Sequence, residues 1–167
     1  MKYFEKKKVD VPQSRSEKLL DGIGYSIFLG SILTLVFLWT SLPDQVPGHY
    51  NFAGQVTRWD SKGALLIIPF LGLLNGLVMQ GLERFPEIYR YPERYNEENA
   101  PQFVLTTRQM MNRVKNILLV FFGLSIFQDL SLSLDWGFRL GAWDFPLLML
   151  ALALIFIIGF RSLKRIR

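Results

Sequence analysis

Apolar residues are not scattered along this chain but gathered into four long stretches, approximately residues 22–42, 63–82, 116–134 and 143–160, separated by segments that hold nearly all the charge. Crossing the hydrocarbon core takes on the order of 20 residues at about 1.5 Å rise each, and each stretch meets that length. None carries a Lys, Arg or Glu in its interior, and Asp129 falls near the end of the third. The pattern predicts an all-α membrane protein, a four-transmembrane-helix bundle. Its parts are a basic tail (1–21), the transmembrane domain (22–160) with an outer loop (43–62) and a longer cytoplasmic loop (83–115), and a second basic tail (161–167). The first stretch lacks a small-x-small cleavage pattern and ends at Trp39-Thr40-Ser41-Leu42-Pro43, so it reads as a retained span.

Orientation follows from the basic residues, which favour the cytoplasmic side. The first tail holds Lys2, Lys6, Lys7, Lys8, Arg15 and Lys18. The central connection holds Arg84, Arg90, Arg94, Arg108, Arg113 and Lys115, and the end holds Arg161, Lys164, Arg165 and Arg167. Of the 19 Lys and Arg, this leaves Arg58, Lys62 and Arg139 for the opposite side. Both termini are therefore expected inside, with the protein in the plasma membrane. Trp39, Trp59, Trp136 and Trp143 then all fall at the outer interface, where an amphipathic ring is well accommodated.

The outer loop carries Pro, Gly, Asn and Asp at turn positions and is expected to be an ordered cap. In the cytoplasmic loop, Phe85-Pro86 and Tyr91-Pro92 discourage helix, and Asn96-Glu97-Glu98 looks like a helix start. Phe103, Met110, Met111 and Val114 recur at helical spacing, so this helix is expected to run directly into the third span. Pro101 cannot sit deep in that helix, so either the start lies nearer Asn99 or the first turn is distorted.

Composition adds exclusions. With no Cys, disulfides and thiolate metal sites are absent from consideration. The formal charge of +5 is accounted for by cytoplasmic Lys and Arg, and no basic stripe on a soluble module points to nucleic acid. His49 is the single His, so a multi-His metal site is excluded. Its neighbours Asp44 and Asp60 suit loop hydrogen bonds better than a cation, and no metal or cofactor is expected. Phosphate loops, zinc-protease helices and paired membrane aspartates are missing, and the chain is not expected to be an enzyme. Within the spans, Asn75 and Gln80 share a helical face with Gly72, Gly76 and Met79. Helix packing is the plain explanation, and a polar path between protomers of an oligomeric transporter subunit is the second. A membrane-surface enzyme built on His49 is a third, carried only by nearby acids.

The segment Leu42-Pro43-Asp44-Gln45-Val46-Pro47-Gly48-His49-Tyr50-Asn51-Phe52-Ala53-Gly54, continuing to Trp59-Asp60-Ser61-Lys62, resembles the signature of the domain of unknown function 1648. This bacterial membrane domain also occurs in SdpI-type immunity proteins. Tyr91-Pro92, Glu97-Glu98-Asn99-Ala100 and Arg108 are similar to the family's stretch between its second and third spans, so the resemblance covers about residues 20–130. Thr57 stands where the family usually shows Asp, and Asp60 where it usually shows Gly. The resemblance implies an immunity or signalling protein whose outer loop meets a toxin or peptide and whose cytoplasmic loop engages a soluble regulator. The ligand-binding candidates are Asp44, His49, Asn51, Gly54, Ser61 and Lys62; those of the cytoplasmic loop are Pro92, Glu98, Asn99 and Arg108. Asn75, Gln80 and Asp129 are the polar residues within the membrane.

Overall fold

The computed structural model describes residues 11–51 and 55–166. It is mostly helical: α1 (Arg15–Leu38), α2 (Ile67–Arg84), α3 (Ala100–Ser133) and α4 (Asp144–Arg165), with a hairpin of β1 (Gln45–Tyr50) and β2 (Val56–Ser61) between α1 and α2. All four helices are long and apolar enough to cross a membrane.

Local chemistry sets the helix ends. Ser14 caps α1, its Oγ accepting from the Glu17 amide while Glu17 Oε2 accepts from the Ser14 amide at 2.7 Å. This reciprocal box fixes the start at Arg15, ahead of the apolar stretch that begins at Gly22. Helix α3 starts after Asn99 with Pro101 in its first turn, where a missing amide costs nothing, and continues unbroken into the third apolar stretch.

At about 1.5 Å per residue, the 34 residues of α3 span roughly 50 Å, more than the hydrocarbon thickness of about 30 Å. It is the central helix, with α1, α2 and α4 each packed on it. Phe28, Leu35, Leu119, Ile126 and Leu130 form the main core, joined by Val46 of β1 and Leu65 before α2. Gly72 sits where any Cβ would collide with the Phe28 ring, so its lack of a side chain lets α2 close on the core. Outward-facing Leu33, Phe37, Phe70, Leu77 and Leu147 are exposed, leaving an apolar belt suited to lipid.

The hairpin departs from the expected all-α architecture. Its antiparallel register runs Gln45↔Ser61, Val46↔Asp60, Pro47↔Trp59, His49↔Arg58 and Tyr50↔Val56. The register skips Gly48 on β1 and Thr57 on β2, and a Cβ at Gly48 would strike the Asp60 carboxylate. Pro47 and Gly48 interrupt the alternation by which a strand is recognised, which is why the segment read as turns.

Candidate functional site

Two polar assemblies mark the ends of the bundle. At the hairpin end, β1 is anchored by Val46, which is fully buried in the core, and by Tyr50, whose hydroxyl donates to Asp129 Oδ1 of α3 at 2.7 Å. Burial, reinforced by the Asp129 carboxylate, pushes the Tyr50 phenol well above the ordinary tyrosine range. Lys62 closes the base of the hairpin, donating to the Trp39 carbonyl at 3.2 Å with its ammonium over the Trp39 ring. Asn51 and Gln55 brace the far end: the Gln55 amide donates to Asn51 Oδ1 at 2.9 Å and Asn51 Nδ2 to Gln55 Oε1 at 3.0 Å.

The connection from α3 to α4 is held by α3 itself. Gln128 Oε1 accepts from the Leu140 amide at 2.7 Å and Ser131 Oγ from the Phe138 amide at 2.8 Å. Gly137 and Gly141, both with positive φ, make the required turns. This places Arg139 and Asp144 opposite the hairpin. Between them lies an open cleft of about 680 Å³ whose polar lining includes His49, Asn51, Thr57, Gln128, Arg139 and Asp144.

Of the ligand-binding candidates, His49 and Asn51 thus meet in the cleft. Lys62 is spent on Trp39, and Asp44 lies at the hairpin base, its carbonyl accepting from the Lys62 amide. Exposed Ser61 ends β2 outside the cleft lining. Gly54 lies outside the described residues. Asp60 accepts from Arg58 at 2.7 Å and is not among the residues lining the cleft. Asp129 is tied to Tyr50 rather than to solvent.

The opposite end gathers groups that sequence reasoning treated as loop charges. Lys115 is fully buried; its Nζ lies 2.6 Å from Glu83 Oε2, 2.9 Å from Asp21 Oδ1 and 3.0 Å from Gln80 Oε1. Asn112 Nδ2 donates to Asp21 and Glu83, Asn116 Nδ2 donates to Asp21, and Tyr25 donates to Gln80. One helical turn away, Arg108 grips Glu17 through Nε and Nη2 at 2.9 and 3.2 Å and donates to the Val11 and Pro12 carbonyls. This end therefore holds five charged side chains from α1, α2 and α3, three carboxylates against two cations, in two neighbouring groups: Arg108 with Glu17, and Lys115 with Asp21 and Glu83. Its signal in the sequence was the i, i+4, i+7, i+8 spacing of Arg108, Asn112, Lys115 and Asn116, a polar stripe on one face of α3.

Among the cytoplasmic-loop candidates, Arg108 and Asn99 are buried, Asn99 Nδ2 donating to the Arg94 carbonyl at 2.8 Å. Pro92 and Glu98 are exposed. Arg94 in turn donates to the Leu163 and Ile166 carbonyls, satisfying the end of α4. Gln80 belongs to the buried assembly, Asn75 is half-buried, and Gly72 and Gly76 face Phe28 and Leu119.

Four helices long and apolar enough to cross a membrane, with α1, α2 and α4 packed about the central α3, define a multi-pass membrane protein. Residues 26–73, from α1 through the hairpin into α2, match the family model of a domain of unknown function (DUF1648). No curated protein and no solved structure matches the chain.

Proposed function

We propose that this chain is a plasma-membrane receptor of the immunity and signalling type, with both termini in the cytoplasm and the hairpin outside, whose hairpin-capped cleft takes a toxin or signalling peptide. The reading is of a binding protein and not an enzyme. The cleft between the hairpin and the α3–α4 connection carries it: Gln128 and Thr57 offer hydrogen-bonding groups for main-chain amides, and Arg139 and Asp144 offer opposite charges. The excess of Lys and Arg at the other end supports the orientation. On the inner side, exposed Pro92, Glu97 and Glu98 are the surface open to a soluble regulator. The transporter reading draws less support, because Gly72 and Gly76 serve helix packing instead of facing another protomer.

The test is survival of cells expressing the chain when challenged with secreted peptide toxins. It is paired with binding of any protected-against peptide to the purified protein. His49→Ala combined with Arg139→Ala removes two exposed cleft groups without touching the core. Binding should weaken about tenfold or more, and protection should fall with it. Unchanged protection and affinity in the double variant would sink the proposal.

A further inference from the structure

Gln128 is 8% exposed, and its amide is only half used. Its Oε1 accepts from the Leu140 amide at 2.7 Å, which fixes the orientation of the group, since the reverse would set two donors against each other. The Nε2 has no acceptor among the described residues. Among those residues the one unbonded side-chain polar atom sealed from water is Asn116 Oδ1, so Gln128 Nε2 keeps an opening, and Gln128 lines the cleft at the hairpin end.

The other free groups of that cleft are mostly donors too. Arg139 is exposed, has neither an ion pair nor a hydrogen bond among the described residues, and directly precedes Leu140, the residue that Gln128 holds. Thr57 has spent its hydroxyl hydrogen on the His49 carbonyl. Asp144 is the acidic side chain of the lining; it opens α4, and its Oδ1 accepts from the Phe145 amide at 2.6 Å, which leaves Oδ2 free. Leu132, Phe145 and Pro146 form an apolar wall beside these groups.

An amide donor and a guanidinium fork suit a planar, charged acceptor, the apolar wall suits a short hydrocarbon group, and the spare carboxylate oxygen suits one N–H. The last residue of a peptide carries all three on a single carbon. We propose that the cleft captures the C-terminus of its peptide ligand. The terminal carboxylate pairs with Arg139 and accepts from Gln128 Nε2, the last side chain packs on Leu132, Phe145 and Pro146, and the last N–H donates to Asp144. This rests on the receptor reading of the same cleft and adds which part of the peptide is recognised. A fatty acid brings a carboxylate and a chain but no N–H for Asp144, and a peptide N-terminus brings an ammonium toward Arg139.

The probes are N-acetyl-alanyl-alanyl-leucine as free acid and as C-terminal amide, with hexanoate as the chain without a peptide bond, each titrated calorimetrically into the full chain in nonionic detergent. The acid should bind about tenfold or more tightly than the amide, which keeps the shape and loses the charge. Arg139→Gln should remove most of that preference, and its thermal stability should match the parent's because Arg139 holds no other group in place. Gln128→Glu keeps an oxygen for Leu140 and exchanges the donor for a second carboxylate, so the preference should reverse toward the amide. Should Gln128→Glu not fold, Arg139→Gln decides alone. Equal binding of acid and amide by the parent overturns the assignment, as do an unaltered preference in Arg139→Gln, hexanoate binding as tightly as the acid peptide, or no binding of the acid at millimolar concentration. If a toxin against which the chain protects binds equally well with its C-terminus amidated, terminal capture falls and the receptor reading stands. If the acid probe is preferred and no toxin is protected against, the receptor reading falls and the terminal site stands.

Discussion

Lys115 Nζ lies 2.6 Å from Glu83 Oε2, and neither side chain reaches solvent. Lys115 also holds Asp21, 2.9 Å away, so a single ammonium neutralises carboxylates from two other helices. Removing one partner of a buried pair costs more than the pair contributes, because the remaining charge is left uncompensated. Lys115→Met, which strands two carboxylates, should destabilise the bundle by about 3–5 kcal/mol. Glu83→Gln should cost less, because Asp21 still faces the ammonium. Thermal unfolding in detergent checks the order; a Glu83→Gln protein less stable than Lys115→Met would contradict it.

Tyr50 is the polar clasp between hairpin and bundle, and its loss should be felt at the hairpin. Tyr50→Phe leaves the Asp129 carboxylate buried without its donor, a cost of about 1–3 kcal/mol, while Asp129→Asn keeps an acceptor and should be milder. Faster hydrogen exchange and protease cleavage in residues 45–61 are the expected readouts.

The raised pKa of Tyr50 gives this clasp a pH dependence with a definite sign. A phenol whose folded pKa exceeds its unfolded value of about 10 stabilises the fold fully below that value. Above it, the unfolded chain ionises first and the contribution declines as pH rises toward the folded pKa. Stability of the parent should therefore fall more steeply than that of Tyr50→Phe between about pH 10 and 12, and parallel curves would refute the coupling.

Gly72 meets Phe28 so closely that Gly72→Val should push α2 off the core, at about 1–3 kcal/mol. Phe28→Ala frees that space. The double variant should therefore be more stable than the sum of the two single changes predicts, and strict additivity would argue against direct contact.

Because the chain has no Cys, single cysteines report topology without background. In intact cells, an impermeant maleimide should label Gln55→Cys and should reach Glu97→Cys only after permeabilisation. Both positions are exposed. The reverse pattern would invert the orientation on which the receptor proposal depends.

The four membrane-length helices were legible because bilayer thickness imposes a long, uncharged run on any span, a constraint read residue by residue without knowing the fold. The unbroken course of α3 from Ala100 was legible for the same kind of reason, since Phe103, Met110, Met111 and Val114 keep helical spacing through a charged stretch. So was the hairpin segment's resemblance to a known domain, which residues 26–73 bear out. The hairpin itself was hidden, because Pro47 and Gly48 break the two-residue alternation and the strand is held by distant Leu130 and Asp129 as well as by its partner. Only the tertiary structure turned Arg108 and Lys115 from loop charges into buried ones. Their partners Glu17, Asp21 and Glu83 lie on other helices far along the chain, and ion pairing depends on distance in space, which sequence spacing specifies only within a single element.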